Sequence, residues 1–222
     1  MKIVISSKRF LPMLGGTVRY AEMLAQGFQA LGHDVCIMTR TPAAETEQTD
    51  PEGLYRCPSW PETMKLAGWS DILLQVDASW KDATFFFLRG RPWFTTIHFG
   101  KVPGKRPLRE RIALAGLSAA FRVSECIPVS KQVAEDWGLA EEPIKNPFDD
   151  SIFHPPALEA RDTDMLFVGR LERSKGIFVL LEAIRRIKDD LPGGVSCAVV
   201  GEGIDGDEFA RLADESGFDF LH

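Results

Sequence analysis

The sequence predicts a doubly wound α/β protein built on parallel sheets, on three observations. Short apolar runs alternate with amphipathic stretches of helical period along the chain. The run Met165 to Val168 is apolar without alternation, as a strand covered on both faces requires. Glycines stand where strand gives way to helix, with Gly15 and Gly16 after the first run and Gly169 after a later one.

The elements follow in order. Lys2 to Ser6 reads as the first strand, and a helix follows over Thr17 to Leu31, where Val18, Ala21, Leu24, Ala25, Phe28 and Leu31 form one stripe. Gly32 is placed to end that helix, and Gly15 and Gly16 fall in the strand-to-helix loop before it. Strands are predicted at Val35 to Thr39, Ile72 to Val76, Trp93 to Ile97 and Cys126 to Val129, with a helix over Leu108 to Phe121. The Pro-bearing stretch Asn146 to Pro156 has little periodicity and reads as an interdomain connection, so the boundary is placed near residue 155, between domains 1–155 and 156–222. The second domain runs strand Met165 to Val168, helix Lys175 to Leu191, strand Val195 to Val200, helix Asp207 to Ser216, and the start of a strand at Phe218 to Leu221. A doubly wound domain holds about six strands. The expectation is therefore a complete first domain and the first half of a second.

Composition bounds the function. With 45% apolar residues, 222 residues support one large or two small cores. Lys plus Arg number 26 against 32 Asp plus Glu, and a net charge of −6 argues against general nucleic-acid binding. An anionic ligand then needs a local basic site. Cys36, Cys57, Cys126 and Cys197 form no CxxC pair, which points to reduced thiols and a cytoplasmic location. The start MKIVISS is too short and too soon polar for a signal peptide, and no run approaches the roughly 20 apolar residues of a membrane span. Between residues 89 and 111 stand seven basic residues, Arg89, Arg91, Lys101, Lys105, Arg106, Arg109 and Arg111, against the single acid Glu110. That region reads equally as a site for an anionic acceptor or the inner face of a membrane and as an ordinary solvated loop and helix face.

The most informative stretch is DMLFVGRLERSKG, Asp164 to Gly176. An apolar strand leaves through Gly169 into a turn carrying Arg170 and Lys175, with Ser174 placed to cap the helix that follows. In that helix Ile177, Leu180, Leu181, Ile184, Ile187 and Leu191 recur at helical spacing, and Pro192, Gly193 and Gly194 stop it. Its free amides and positive dipole end point back at the turn. A diphosphate fits this charge, whereas a lone Arg or Lys without such surroundings is ordinarily a solvated surface residue.

FVGRLERSKG, followed by LLEAI and AVVGEG, resembles the start of the donor-binding domain of family 4 retaining glycosyltransferases, which have the two-domain GT-B fold. LPMLGG, LGHDV, TTIHFG, IPVS and NPFDDSIF fall in that family's usual order, so the resemblance covers essentially the whole chain. It implies a complete Rossmann-like acceptor-side domain followed by a partial Rossmann-like nucleotide-sugar domain. In it Arg170 and Lys175 contact the donor diphosphate, and the loop of Gly15 and Gly16 approaches donor and acceptor from the other domain. Gly201, Glu202 and Gly203 line the nucleotide pocket. His98, at a strand end, faces the transferred sugar or the acceptor, with Lys101, Lys105 and Arg106 beside it; from the residues alone such a His is more often a hydrogen-bonded structural residue. The paired glutamates that usually follow have no counterpart before residue 222, so the chain reads as truncated.

The implied substrates are a nucleotide sugar and a glycan or lipid-linked acceptor, with neither metal nor cofactor. Peripheral membrane contact, no nucleic acid, and self-association through an incomplete second sheet complete the expected partners. The alternative is a non-catalytic acceptor-binding domain, or half of a split enzyme completed by a partner chain. Gly201, Gly203 and Gly206 also spell GxGxxG, but Glu202 and Asp205 would set carboxylates against a pyrophosphate, so a dinucleotide fingerprint is rejected. No Ser/His/Asp order or HExxH supports hydrolysis, and the DTD string at 162–164 reads as linker.

Overall fold

The computed structural model describes residues 1–43, 50–101, 107–154, 163–187, 195–215 and 220–221. The chain divides into two compact units, Met1–Asp150 and Ser151–His222; residue 155, where the sequence suggests a boundary, lies outside the described residues.

The first unit runs β1 (Lys2–Ser7), α1 (Gly16–Ala30), β2 (Asp34–Thr39), β3 (Leu54–Arg56), α2 (Trp60–Trp69), β4 (Ile72–Val76), α3 (Trp80–Leu88), β5 (Trp93–Ile97), α4 (Leu108–Val123), β6 (Glu125–Pro128) and α5 (Lys131–Trp137). Its six strands pair in parallel in the order β3-β2-β1-β4-β5-β6. The pleat sorts their side chains. Ile3, Ile5, Leu74 and Val76 face α1, where Val18, Ala21 and Ala25 cover them. Val4, Met38 and Leu73 face the other way, against Leu66 and Ala67 of α2 and Ala83 and Phe86 of α3. Each such fully buried aliphatic or aromatic side chain contributes roughly 1.5–3 kcal/mol.

Gly16 opens α1 instead of preceding it, and Gly15 is its N-cap residue. Gly32, at φ 80°, stands just beyond the helix end as expected. The periodicity did not reveal β3, α2, α3 or α5. α2 nonetheless carries a capping box, since the backbone N–H and hydroxyl of Ser59 both donate to Glu62 Oε2, at 2.8 and 2.6 Å. α5 is capped by the Ser130 hydroxyl and ends at Gly138, φ 67°.

The second unit runs β7 (Met165–Val168), a 3-10 turn (Arg173–Lys175), α6 (Ile177–Ile187), β8 (Cys197–Val200), α7 (Gly206–Asp214) and β9 (Phe220–Leu221). Its strands are parallel in the order β7-β8-β9. The helix expected from Lys175 instead starts at Ile177, because Gly176 takes φ 81° and separates it from the 3-10 turn; residues 188–191 of the expected helix lie outside the described ones. Ile177, Leu181 and Ile184 of α6 and Phe209 and Ala213 of α7 pack with Met165, Phe167, Cys197 and Val199.

Both helices thus cover one face of the sheet. This corrects the expectation for β7: Leu166 and Val168 are 65% and 69% exposed, and Val200 is 51% exposed beside them. A run without alternation signals a strand whose two faces are both apolar, but not that both are covered by the described residues.

The loop after β7 and the loop after β8 are joined backbone to backbone. Gly169 N–H donates to Val200 O (3.0 Å), Leu171 N–H to Glu202 O (2.9 Å), and Asp205 N–H to Leu171 O (3.1 Å). The approach leaves no room for a side chain at positions 201 and 203, since a Cβ at Gly201 would run into the Gly169 carbonyl and one at Gly203 into that of Leu171. Gly203→Ala is therefore expected to destabilise the second unit by about 2 kcal/mol or more, read by chemical denaturation. An unchanged midpoint would show that the two loops are not held together.

Candidate functional site

Open α/β sheets bind ligands outside the carboxyl ends of their strands, at the point where the strand order reverses. In the first unit that point lies between β1 and β4, whose crossovers leave to opposite faces. Lys8 and Arg9 follow β1, Asp77 follows β4 and His98 follows β5. A cleft of about 950 Å³ lies elsewhere, beside His33 and Asp34 at the start of β2 and Glu52, Glu62 and Lys65. Its excess of carboxylates and its place away from the carboxyl edge make it a poor seat for a phosphate-bearing ligand.

His98 is half-buried against the Tyr20 ring, 4.6 Å between centroids and edge-on. Thr96 Oγ1 lies within hydrogen-bond reach of Gln75 O (3.3 Å) and of His98 Nε2 (3.0 Å), and the His98 tautomer decides which of Thr96 and His98 donates in their bond. Burial lowers the His98 pKa, so the ring is neutral at pH 7. Tyr20 is pushed the other way by burial, opposed by its hydrogen bond to Thr96. His98 is thus both hydrogen-bonded within the fold and set at the strand end.

Lys101 Nζ lies 4.7 Å from the centre of the Trp137 ring, a cation–π contact. The same indole donates to Phe99 O at 2.8 Å, so the segment 99–101 is fastened to α5. Lys105 and Arg106, the other two acceptor-side cations, lie outside the described residues.

Gly15 and Gly16 are exposed, and a Cβ at either would meet nothing within 4 Å. Packing inside the unit therefore does not ask for glycine there, in contrast to Gly201 and Gly203.

In the second unit Arg170 and Lys175 share the turn between β7 and α6. Arg170 is 53% exposed and pairs with Glu172 at 2.6 Å, while Glu172 also accepts from the Ser174 hydroxyl at 3.1 Å. Ser174 thus lies within the 3-10 turn and does not cap α6. Lys175 is exposed, with no ion pair among the described residues. The sequence reading missed Glu172 as the acid that holds the arginine.

Arg173 ties this turn to the next loop, through Glu208 at 2.6 Å and through its own backbone N–H to Asp205 Oδ2 at 2.8 Å. Its guanidinium also stacks 4.3 Å from the centre of the Phe178 ring. Asp205 is accordingly engaged in the protein, whereas Glu202 is exposed. The exposed turn presents two cations held by acids, Arg170 and Arg173, and Lys175 with no ion pair among the described residues, an arrangement that can receive an anion.

Among the described residues no group of three His, Cys, Asp or Glu could hold a metal ion, and no helix is long and apolar enough to cross a membrane. All four cysteines are free; Cys126 and Cys197 are buried, Cys36 partly so, and Cys57 is exposed.

Comparison with known proteins bears on the fold. Residues 149–218 match the family described as glycosyl transferases group 1. Over 60 residues the chain is 37% identical to alpha-monoglucosyldiacylglycerol synthase of Acholeplasma laidlawii, a match that takes in 27% of this chain and 15% of that protein. The chain thus matches only a small part of that curated relative. Among solved structures, sucrose-phosphate synthase from Thermosynechococcus elongatus superposes with a TM-score of 0.69 at 17% identity, over 99% of this chain and 70% of that one. The lipopolysaccharide outer core galactosyltransferase WaaB gives 0.63 at 14% identity, over 100% and 68%. An alpha-glucosyltransferase in complex with UDP-glucose and DNA containing an abasic site gives 0.56 at 17%, over 98% and 60%. The chain has the α/β fold of GT-B glycosyltransferases, and its second unit carries the group 1 match.

Proposed function

We propose that this chain belongs to a glycosyltransferase of family 4 type that moves a hexose, with retention, from a nucleotide sugar to a glycan or lipid-linked acceptor. The observation that carries the reading is the exposed turn of Arg170 and Lys175 at the mouth of the β7–α6 crossover, inside the segment matching glycosyl transferases group 1. Sugar transfer leaves negative charge on a departing diphosphate, and fixed cations aimed at that charge lower the barrier. The Arg170–Glu172 pair does not prevent this. An exposed ion pair is worth no more than about 1 kcal/mol, while each charge-assisted hydrogen bond to a phosphate is worth roughly 1.5–3 kcal/mol. A diphosphate therefore wins the arginine from Glu172.

His98, Lys101 and the open backbone at Gly15 and Gly16 serve the acceptor side in this reading, and the exposed loop of Gly201, Glu202 and Gly203 serves the nucleotide. One of the similar structures holds DNA, so the fold itself does not exclude a nucleic-acid acceptor; against it stands the net charge of −6. The reading involves neither metal nor cofactor. It takes the enzyme as cytoplasmic, with Lys101, Arg109 and Arg111, which follow β5, turned to the membrane surface when the acceptor is a lipid; Arg89 and Arg91 precede β5 and stand at its other end.

A second reading, an acceptor-binding domain or half of a split enzyme, is favoured by the exposed face of Leu166, Val168 and Val200. Self-association or pairing with another chain would then cover that face. Release of nucleoside diphosphate from a sugar donor by the purified chain separates the two.

Arg170→Ala is expected to weaken binding of a nucleoside diphosphate tenfold or more in calorimetry, about 1.4 kcal/mol, while Glu172→Gln, which frees the arginine, is expected to tighten it. Unchanged affinity in both variants removes the phosphate role.

For His98 the sign of the pH effect follows from its lowered pKa. The unfolded chain takes up the proton near pH ~6.5 and the folded one only at lower pH, so this contribution to stability is present above ~6.5 and lost as pH falls below it. The thermal midpoint of the wild type is expected to drop more than that of His98→Gln between about pH 7.5 and 5.5; equal drops would refute the assignment.

A further inference from the structure

The cleft at the strand-order reversal is built from residues to which neither the fold nor the family match assigns a role. Gln75, fully buried in β4, clamps the turn that follows: its Nε2 donates to Ser79 O (3.1 Å) and its Oε1 accepts from Ser79 N–H (2.9 Å). The clamped turn holds Asp77 at φ 69°, a conformation that Asp tolerates better than most residues. Asp77 N–H is spent on Thr96 O at 3.3 Å. Its Oδ1 is buried without a hydrogen-bond partner, the only carboxylate oxygen so placed among the described residues. An ionised carboxylate left so is costly unless something supplies a donor. Burial raises the Asp77 pKa, and Lys8 and Arg9 across the reversal oppose the rise.

Asp77 lines a cleft of about 400 Å³ whose other walls are mainly apolar: Trp80, Phe99, Gly116 and Leu117, with Lys8 at one side. The Trp80 indole N–H is occupied by Gly116 O at 2.8 Å, so that ring offers the cleft its hydrocarbon face. Gly116 lines the cleft without a side chain, and a Cβ there would meet nothing within 4 Å, so the space beside it is open. The lining suits a ligand with an apolar body and a neutral head that donates hydrogen bonds; an anionic head would meet the Asp77 carboxylate.

We propose that this cleft is the acceptor seat, that it takes a neutral hydroxyl-bearing amphiphile of the monoacylglycerol kind, and that Asp77 receives the hydroxyl hydrogens while the acyl part lies against Trp80, Gly116 and Leu117. The proposal rests on the sugar-transfer reading and narrows its acceptor to a lipid-like alcohol.

The test is calorimetric titration of the purified chain with 1-monooctanoylglycerol below its micelle concentration, with glycerol and octanoate as head-only and anionic controls. The glyceride is expected to bind and the controls to bind at least tenfold more weakly. Asp77→Asn, which keeps the shape but gives up the charge, is expected to weaken binding about tenfold, and Gly116→Leu, which fills the cleft, to remove it. Octanoate binding as tightly as the glyceride, or glyceride binding unchanged in either variant, overturns the proposal. A nucleoside diphosphate titrated into the same wild-type sample separates the two readings. If it binds and the glyceride does not, the lipid acceptor falls while sugar transfer stands; if the glyceride binds through Asp77 and the diphosphate does not, the cleft stands and the donor site falls.

Discussion

The pairing of β1 with β4 is the constraint on which the rest of the first unit depends. Ile3 to Ser7 lie in parallel register with Ile72 to Val76, and because the two strands continue into helices on opposite faces, their carboxyl ends open a crevice that neither helix closes. Lys8 and Arg9 from one strand, Asp77 from the other, and His98 from the next strand over stand at that edge. The register also settles the core. A slip of one residue would exchange Ile3 and Ile5, which face α1, for Val4 and its neighbours, which face α2 and α3.

The second unit makes its site by a different device. No side chain mediates the closest contact between the loops after β7 and β8; the backbones themselves touch, at Gly169 with Gly201 and at Leu171 with Gly203. Arg173 then clasps Asp205 and Glu208 from outside. Two of the four residues in RSKG and its neighbour Arg170 are cations with different employment: Arg173 holds the fold together, while Arg170 and Lys175 remain at the surface of the turn.

Much of the architecture could be read from the residues. Every strand with four or more apolar positions was legible, as were α1 with its terminal Gly32 and the strand-turn-helix order around Arg170. The three-residue β3 has too few positions to show a period, and α3, reading WKDATFFFL, is apolar nearly all round, so its periodicity is weak. α2 could have been found from Ser59 and Glu62, a start signal that precedes only a moderate apolar stripe. Arg170, Lys175 and His98 stand out because each follows an apolar run. Asp77 does not: its left-handed backbone and its buried oxygen arise from Gln75 and Ser79 closing the turn and from the neighbouring strand, which are tertiary facts. That the described residues cover β7 on one face only was likewise invisible, because apolar composition records what a face is made of and not what lies on it.

The backbone seam between the two loops of the second unit also limits how that site can be redesigned. Because Leu171 is bonded through both its N–H and its carbonyl to the loop carrying Glu202 and Asp205, neither loop can be lengthened, swapped or reshaped by itself. Any redesign of residues 201–205 would have to transplant the Arg170 turn along with them, as a single cassette.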